Sequence, residues 1–335
     1  MIQKPYLLFL ADAKDRNACK TAFGVAHWRP NECVGELRYP EAATSCDLPT
    51  MTPKEAAARG AKTMLLGLAP SGGRLEPRWI ETILEALTAG LDIASGMHVR
   101  LADIDSIAKR ARELGRSLHD VRTPPRDLPV GSGRPRPGLR LLTVGTDCSV
   151  GKMFTTLALE RELHARGRKA SFRATGQTGI LIAGSGIAVD AVVADFISGA
   201  TEILAPANEP DHIDLIEGQG SLFHPSYAGV SLGLLHGSQP DWLVMCHDPT
   251  RAIMRGDVDH RLPGLAECIE LNEALARLTN PRARVIGLAL NTVKLEPKVA
   301  RTVLDRLADE YGMPAVDPVR DGVGPIVDDL LASIA

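Results

Sequence analysis

Short apolar runs alternate with amphipathic stretches along most of the chain. Tyr6–Ala11 (YLLFLA) and residues 62–68 (KTMLLGL) each read as a buried strand. The second run leads into APSGG, residues 69–73, where glycines allow close backbone approach. Residues 76–89 place Ile80, Ile83, Leu84 and Leu87 on one helical face. Residues 91–95 and 97–101 read as strand pieces around Gly96, residues 104–114 as a second amphipathic helix, and residues 118–121 as a short last strand. Strands alternating with helices predict a small parallel sheet.

The pattern breaks at residues 123–138, TPPRDLPVGSGRPRPG, which hold five prolines, three glycines and three arginines. That density defeats helix and strand and predicts an interdomain linker. Arg126, Arg134 and Arg136, with flanking Arg122 and Arg140, make it basic. It reads either as a solvated connector or as a phosphate contact, since it leads into the motif described below. Beyond it the alternation resumes. Strands are expected at 139–144, 169–174, 212–216, 242–246 and 285–290, and helices at 151–165, 187–204, 262–278 and 296–311. This predicts a second parallel sheet, doubly wound with helices on both faces.

The length of 335 residues fits two domains. With 44% hydrophobic, 24% charged and only 4% aromatic residues, the chain is globular and its cores are aliphatic. A net charge of −3 argues against a general nucleic-acid binder. Residues 1–138 carry 20 Lys+Arg against 16 Asp+Glu, and the remainder 18 against 25. An anion bound by the second part must therefore be held locally. The six cysteines have irregular spacing and no C-x-x-C pair, which predicts neither a metal site nor a disulfide framework. The first residues lack a signal-peptide cleavage pattern, and no apolar stretch approaches the roughly 20 residues of a membrane span. The expectation is a cytoplasmic protein acting on small molecules, without nucleic-acid or membrane partners, and a homo-oligomer on base rates.

Residues 145–153 carry the chemistry: Gly-Thr-Asp-Cys-Ser-Val-Gly-Lys-Met, between an expected strand and helix. Backbone N–H groups of such a loop point into its centre, the helix N-terminus adds partial positive charge, and Lys152 adds a full one. Thr146, Asp147, Cys148, Ser149, Val150, Gly151, Lys152 and Met153 are thus the candidate diphosphate cradle. The loop departs from G-x-x-x-x-G-K-[ST] in two places. Thr146 stands at the first glycine position, and Met153 stands where nucleotide hydrolases place a magnesium-binding hydroxyl. A thioether is a poor ligand for so hard a cation. Thr155 and Thr156 lie too far into the helix to substitute.

Around this loop, polar residues collect at expected strand ends, where open α/β sheets place ligands. Glu217 begins EGQGSLFHP, and His224 precedes Pro225, as a general base or a turn residue. Arg173, Thr175 and Gln177 follow one strand, His247, Asp248 and Arg251 another, and Asn291 and Thr292 a third. Asp195 and Glu202 lie in VVADFISGATE, where the plain expectation is a helix capped near Gly199.

GTDCSVGKM, DFISGATE, IEGQGSLFHP and LGLAPSGGRL together resemble a family of two-domain P-loop proteins long known only as a domain of unknown function. The loop is also similar to that of dethiobiotin synthetase. The resemblance spans the whole chain. It implies an α/β fold with a small N-terminal Rossmann-like parallel-sheet domain (1–122), the linker (123–138) and a P-loop NTPase-like doubly wound domain (139–335). A characterised branch of that family is a D-glutamate N-acetyltransferase using acetyl-CoA, so the resemblance implies an acyltransferase of D-glutamate breakdown. A P-loop suits coenzyme A, whose diphosphate is gripped without any phosphoryl transfer, and no metal is implied. An amine acceptor needs a general base, expected at Glu217 with Asp195 and His224 as alternatives. The carboxylates of an acidic acceptor call for basic partners. Arg173 and Arg251 are the candidates, with Gln177 and the loop Ser71-Gly72-Gly73 also against the acceptor. An ATP-dependent ligase of the dethiobiotin synthetase type is the alternative, opposed by Met153. The stereochemistry of the acceptor is not legible in the sequence.

Overall fold

The computed structural model of the chain describes residues 2–16, 18–68, 75–256 and 259–334. The chain divides into two compact units, Met1–Pro124 with Gly176–Ala191, and Pro125–Thr175 with Val192–Ala335.

The first unit runs β1 (Tyr6–Ala11), α1 (Lys20–Trp28), β2 (Cys33–Arg38), α2 (Pro53–Ala58), β3 (Thr63–Leu66), α3 (Pro77–Thr88), β4 (Asp92–Ser95), α4 (Asp105–Leu114) and β5 (Leu118–Asp120). Its five strands lie in the order β2-β1-β3-β4-β5, all parallel. All six side chains of β1 are buried, as expected of a strand covered on both faces. Phe9 packs edge-on against Tyr39 and Trp79, with ring centroids 5.8 and 6.5 Å away. Residues 97–101 are not the strand piece expected of them. The Asp120 carboxylate accepts the N–H groups of Leu101 and Ala102 and so caps a 3-10 turn there.

The second unit holds β6 (Leu139–Gly145), α5 (Lys152–Ala165) and β7 (Ala170–Arg173). The chain then returns to the first unit for α6 (Gln177–Ala183). There α6 packs on α1, with the hydroxyls of Thr21 and Thr178 3.2 Å apart. The second unit resumes with α7 (Ile197–Leu204), β8 (Ile213–Ile216), α8 (Ala228–Ser238), β9 (Trp242–His247), α9 (Leu265–Ala276), β10 (Arg284–Leu290), α10 (Pro297–Tyr311), β11 (Ala315–Val316) and α11 (Gly324–Ala332). The sheet order is β11-β10-β9-β6-β8-β7, all parallel. Because the strands are parallel, every C-terminal strand end lies along one edge, and the order reverses about β6. α5 packs with α11, and α8 packs with α7 and α9, the two-layer covering of a doubly wound sheet.

Two expectations fail around α7. Residues 187–204 are not one helix: Val189–Ala191 and Ala194–Phe196 form 3-10 turns, and only Ile197–Leu204 is α-helical. Ile187, Val189, Val192 and Val193 are β-branched and poor at holding helix across this stretch. Nor does Gly199 cap the helix. It lies inside α7, where a Cβ would come within 1.9 Å of the Pro129 carbonyl oxygen, so only glycine lets the linker backbone cross there. The linker is largely exposed, yet its backbone is tied to the second unit. The Glu202 carboxylate accepts the N–H groups of Ser132 and Gly133 and the Ser132 hydroxyl. Arg136 donates to the carbonyls of Ala205 and Gly237, and Arg140 to those of Arg136, Pro137 and Gln239. Arg136 and Arg140 thereby fasten the linker to the second unit.

Candidate active site

β6 ends at Gly145, and α5 opens at Lys152. Between them Ser149 (φ 54°) and Gly151 (φ 110°) take left-handed conformations. Such residues curl successive N–H groups inward to form an anion-binding concavity. The first-turn N–H groups of α5 lack intrahelical acceptors and add to it. Lys152 is buried, and its ammonium donates to the carbonyls of Asp147 and Gly220, each at 2.8 Å. Burial lowers its pKa, against the opposing pull of Cys246, Cys148, Asp147 and Glu217. Those two carbonyls keep a desolvated cation partnered until an anion enters.

The loop is braced from outside. Asp147 is fully buried, and its carboxylate accepts from Arg251 Nη1 at 2.6 Å, from the Arg255 N–H at 2.8 Å and from the Cys148 N–H at 2.6 Å. Arg251 also donates to the carbonyls of Cys148 and Ser149 and lies 3.4 Å from Asp248. Arg251 is therefore the loop's clamp rather than a group aimed at an acceptor. Asp248 is held below the usual carboxylate range. Burial pushes it up, but the Thr250 N–H and hydroxyl, with the charges of Arg251 and Lys294, outweigh that. The Thr146 hydroxyl meets His247 Nδ1 at 3.0 Å, and burial lowers the His247 pKa.

The segment after β8 closes the other side. Glu217 is buried at the strand end, and one carboxylate oxygen accepts the Thr175 N–H at 3.0 Å. A Cβ on Gly218 would lie 1.7 Å from the Thr143 carbonyl oxygen, so glycine alone lets this segment run against β6. The Gly218 N–H donates to the Thr143 hydroxyl. Gly220 then supplies the carbonyl that holds Lys152, which ties EGQG to the P-loop.

His224 is 1% exposed and does not stand ready as a base. Its Nε2 meets the Arg255 carbonyl at 2.9 Å, and its Nδ1 meets the Ser226 N–H at 3.2 Å. A carbonyl only accepts and an N–H only donates, so Nε2 donates, Nδ1 accepts and both nitrogens are engaged. His224 thus closes a turn and secures the Arg255 segment. Asp147, Cys148 and His224 offer ligand atoms within 4.8 Å of one another. A cation there would have to displace the Arg251 guanidinium and the Nε2–H bond, so the donor set does not suit a metal. Asp195 is exposed on its 3-10 turn. Arg173 donates to buried Asp214 through Nε and Nη2, at 2.8 and 2.7 Å. Gln177 opens α6, which belongs to the first unit. Ser71, Gly72 and Gly73 lie outside the described residues. Thr155 and Thr156 donate their hydroxyls to the carbonyls of Gly151 and Lys152, so neither replaces the hydroxyl missing at Met153. Sequence reasoning missed the role of Arg255, pinned through its N–H to Asp147, and no local pattern marks it. His247, expected at a strand end, stands against the loop.

Residues 129–327 match the C-terminal P-loop domain of DUF1611, a domain of unknown function, and residues 36–124 match its N-terminal Rossmann-like domain. A D-glutamate N-acetyltransferase of Tritonibacter scottomollicae is 49% identical over 332 residues, covering 99% of this chain and 100% of that protein. One from a Pseudoalteromonas species is 49% identical over 329 residues, covering 98% and 99%. The crystal structure of a DUF1611 family protein from Anabaena variabilis superposes with a TM-score of 0.85 at 31% identity, covering 98% of this chain and 100% of that one.

Proposed function

The chain belongs to the DUF1611 family, and from that membership we propose that it is a D-glutamate N-acetyltransferase drawing its acetyl group from acetyl-CoA. The observation that carries this reading is the 49% identity to two enzymes of that name over nearly the full length of each. The site is compatible with it. A P-loop with Met153 after its lysine, and with the Thr155 and Thr156 hydroxyls engaged, suits a diphosphate that is gripped and left intact. The same features weigh against the ATP-dependent ligase.

In this reading the loop anchors the coenzyme A diphosphate through its N–H groups and Lys152. The acceptor amine attacks the thioester carbonyl carbon, the C–S bond breaks, and coenzyme A leaves as the thiol. The amine must shed a proton to attack, and Glu217 takes it. Of the three groups that the sequence offers for that task, Asp195 is exposed and His224 has both ring nitrogens occupied. Arg255, with its side chain exposed and its backbone fixed to Asp147, replaces Arg251 as the partner for an acceptor carboxylate. All six cysteines are free, in keeping with a reducing cytoplasm, and a symmetric homo-oligomer is the expected state.

Release of free thiol from acetyl-CoA tests the reading, with D-glutamate, L-glutamate and other amino acids offered in parallel. Release with D-glutamate and without added metal is expected. Tight magnesium-dependent ATP binding without acetyl-CoA turnover would replace this reading with the ligase.

A further inference from the structure

The EGQG segment holds one polar side chain that the chemistry above leaves unused, Gln219. Its neighbour Glu217 is held at three points by the end of β7. The Glu217 N–H donates to the Arg173 carbonyl at 3.1 Å, its carbonyl accepts the Thr175 hydroxyl at 2.6 Å, and its carboxylate accepts the Thr175 N–H. Two residues on, the Gln219 side-chain amide reaches the same hydroxyl at 3.1 Å. Thr175 is fully buried, and Gln219 is half-buried. One buried threonine thus holds both the carboxylate of the base and the amide of Gln219.

The chemistry of that hydroxyl decides which end of the Gln219 amide faces it. A hydroxyl has one proton, and the Glu217 carbonyl, which only accepts, takes it. The Thr175 oxygen can then only accept from Gln219, so the atom against it is Nε2 and not Oε1. Nε2 carries a second hydrogen, and among the described residues nothing accepts it. The main chain around it is fixed as well. The Gln219 carbonyl accepts the Ser231 hydroxyl at 2.6 Å, the Gly218 N–H donates to Thr143, and the Gly220 carbonyl holds Lys152. A donor held this way needs no reorganisation when charge develops in front of it.

We propose that Gln219 donates to the oxyanion formed during acetyl transfer, and that Thr175 is a positioning residue that sets this donor beside the base. The proposal rests on the acetyl-CoA reading above. The acceptor ammonium first loses a proton, which passes through Glu217 to solvent. The amine nitrogen then bonds to the thioester carbonyl carbon, the carbonyl oxygen takes up negative charge, and the second Nε2–H of Gln219 donates to that oxygen. A further proton leaves the nitrogen for Glu217. As the C–S bond breaks, the C=O bond re-forms, the sulfur departs with the electron pair, and Glu217 passes the proton to it. The products are the amide, the thiol and one released proton. Base and donor each lie one hydrogen bond from Thr175, so they reach neighbouring atoms of one tetrahedral centre.

The test is thiol release from acetyl-CoA with D-glutamate, measured on Gln219→Met, which removes the donor at similar side-chain length, and on Gln219→Glu, which puts a charged acceptor in its place. Each should lower kcat by about 10²- to 10³-fold, the value of one oxyanion donor, while the KM for acetyl-CoA changes by less than about threefold. The acid side of kcat against pH should stay where the wild type has it, because the base is untouched; a role exerted through Glu217 would move it. Thr175→Val should also lower kcat, Thr175→Ser should restore it, and Thr175→Val/Gln219→Met should be no slower than the slower single variant. Urea melts check that each variant is folded, and if Thr175→Val is not, the two Gln219 variants decide alone. The proposal is overturned if Gln219→Met keeps kcat within about threefold of the wild type, if its loss appears in KM alone, if the pH profile shifts, or if the losses multiply in the double variant. A wild type that turns over beside an unimpaired Gln219→Met sinks this proposal alone. A wild type that releases no thiol from acetyl-CoA sinks the reading of the reaction and this proposal with it.

Discussion

In the first unit β1 is sealed from end to end by buried apolar side chains, whereas β6, the corresponding strand of the second unit, ends among buried Thr146, Asp147 and Lys152. Both strands sit where the order of a parallel sheet reverses. Among the described residues, the first unit buries few polar side chains: Thr21, Glu36, Thr63, Thr82 and Ser95. The second buries Thr175, Glu217, Ser221, His224, Asp248, Thr292 and Asp317 along its C-terminal strand edge, and others such as Arg140, Asp214 and Asp241 elsewhere. Buried polar groups are costly unless bonded, and here they are bonded largely to one another. The contrast separates a sheet with an almost wholly apolar interior from one whose strand edge carries buried, hydrogen-bonded polar groups.

The sharpest way to break that contrast is Glu217→Gln. It should lower kcat by about 10²- to 10⁴-fold with little change in the KM for acetyl-CoA, as expected for loss of a general base. An unchanged kcat in the thiol-release assay would remove Glu217 from the chemistry. Leu8→Ala in β1 tests the other side. It should destabilise the protein by about 2–5 kcal/mol in a denaturant melt, while kinetics measured well below the melting range stay as in the wild type. Lys152→Ala should raise the KM for acetyl-CoA by roughly ten- to a hundredfold, the value of a charge-assisted contact. Because burial lowers the Lys152 pKa, donor affinity should be full at low pH. It should fade as pH rises through a value below the ordinary 10.5, and titration of the KM against pH checks the sign.

The smallest effect concerns His247, whose folded pKa is lowered from 6.5 by burial. Below pH 6.5 the unfolded chain takes up a proton there before the folded one does, so stability falls as the pH drops through that window. His247→Asn should reduce the loss in urea midpoint between pH 7.5 and pH 5.5 by an amount worth under about 1 kcal/mol.

The parts of this design legible in the sequence are those with a local signature. Residues 145–153 announce a loop between strand and helix, and the apolar runs of β1, β3, β6, β8, β9 and β10 stand out. α1 (KTAFGVAHW) and β2 (CVGELR) do not, because Gly24 interrupts the apolar face of one and two charges interrupt the other. The partnerships of the site were also illegible. Arg251 and Asp147 are 104 positions apart, and nothing near either one indicates that the guanidinium clamps the loop. His224 carries no local mark that both ring nitrogens are occupied. The fate of the linker arginines depended on carbonyls that only the folded α7 and α8 present.

The excursion of residues 176–191 into the first unit has a consequence for how this protein can be divided. Neither unit is one uninterrupted length of polypeptide, so cutting after Pro124 leaves the amino-terminal piece without α6, which covers α1. A fragment meant to stand alone would have to carry its missing helix as a graft.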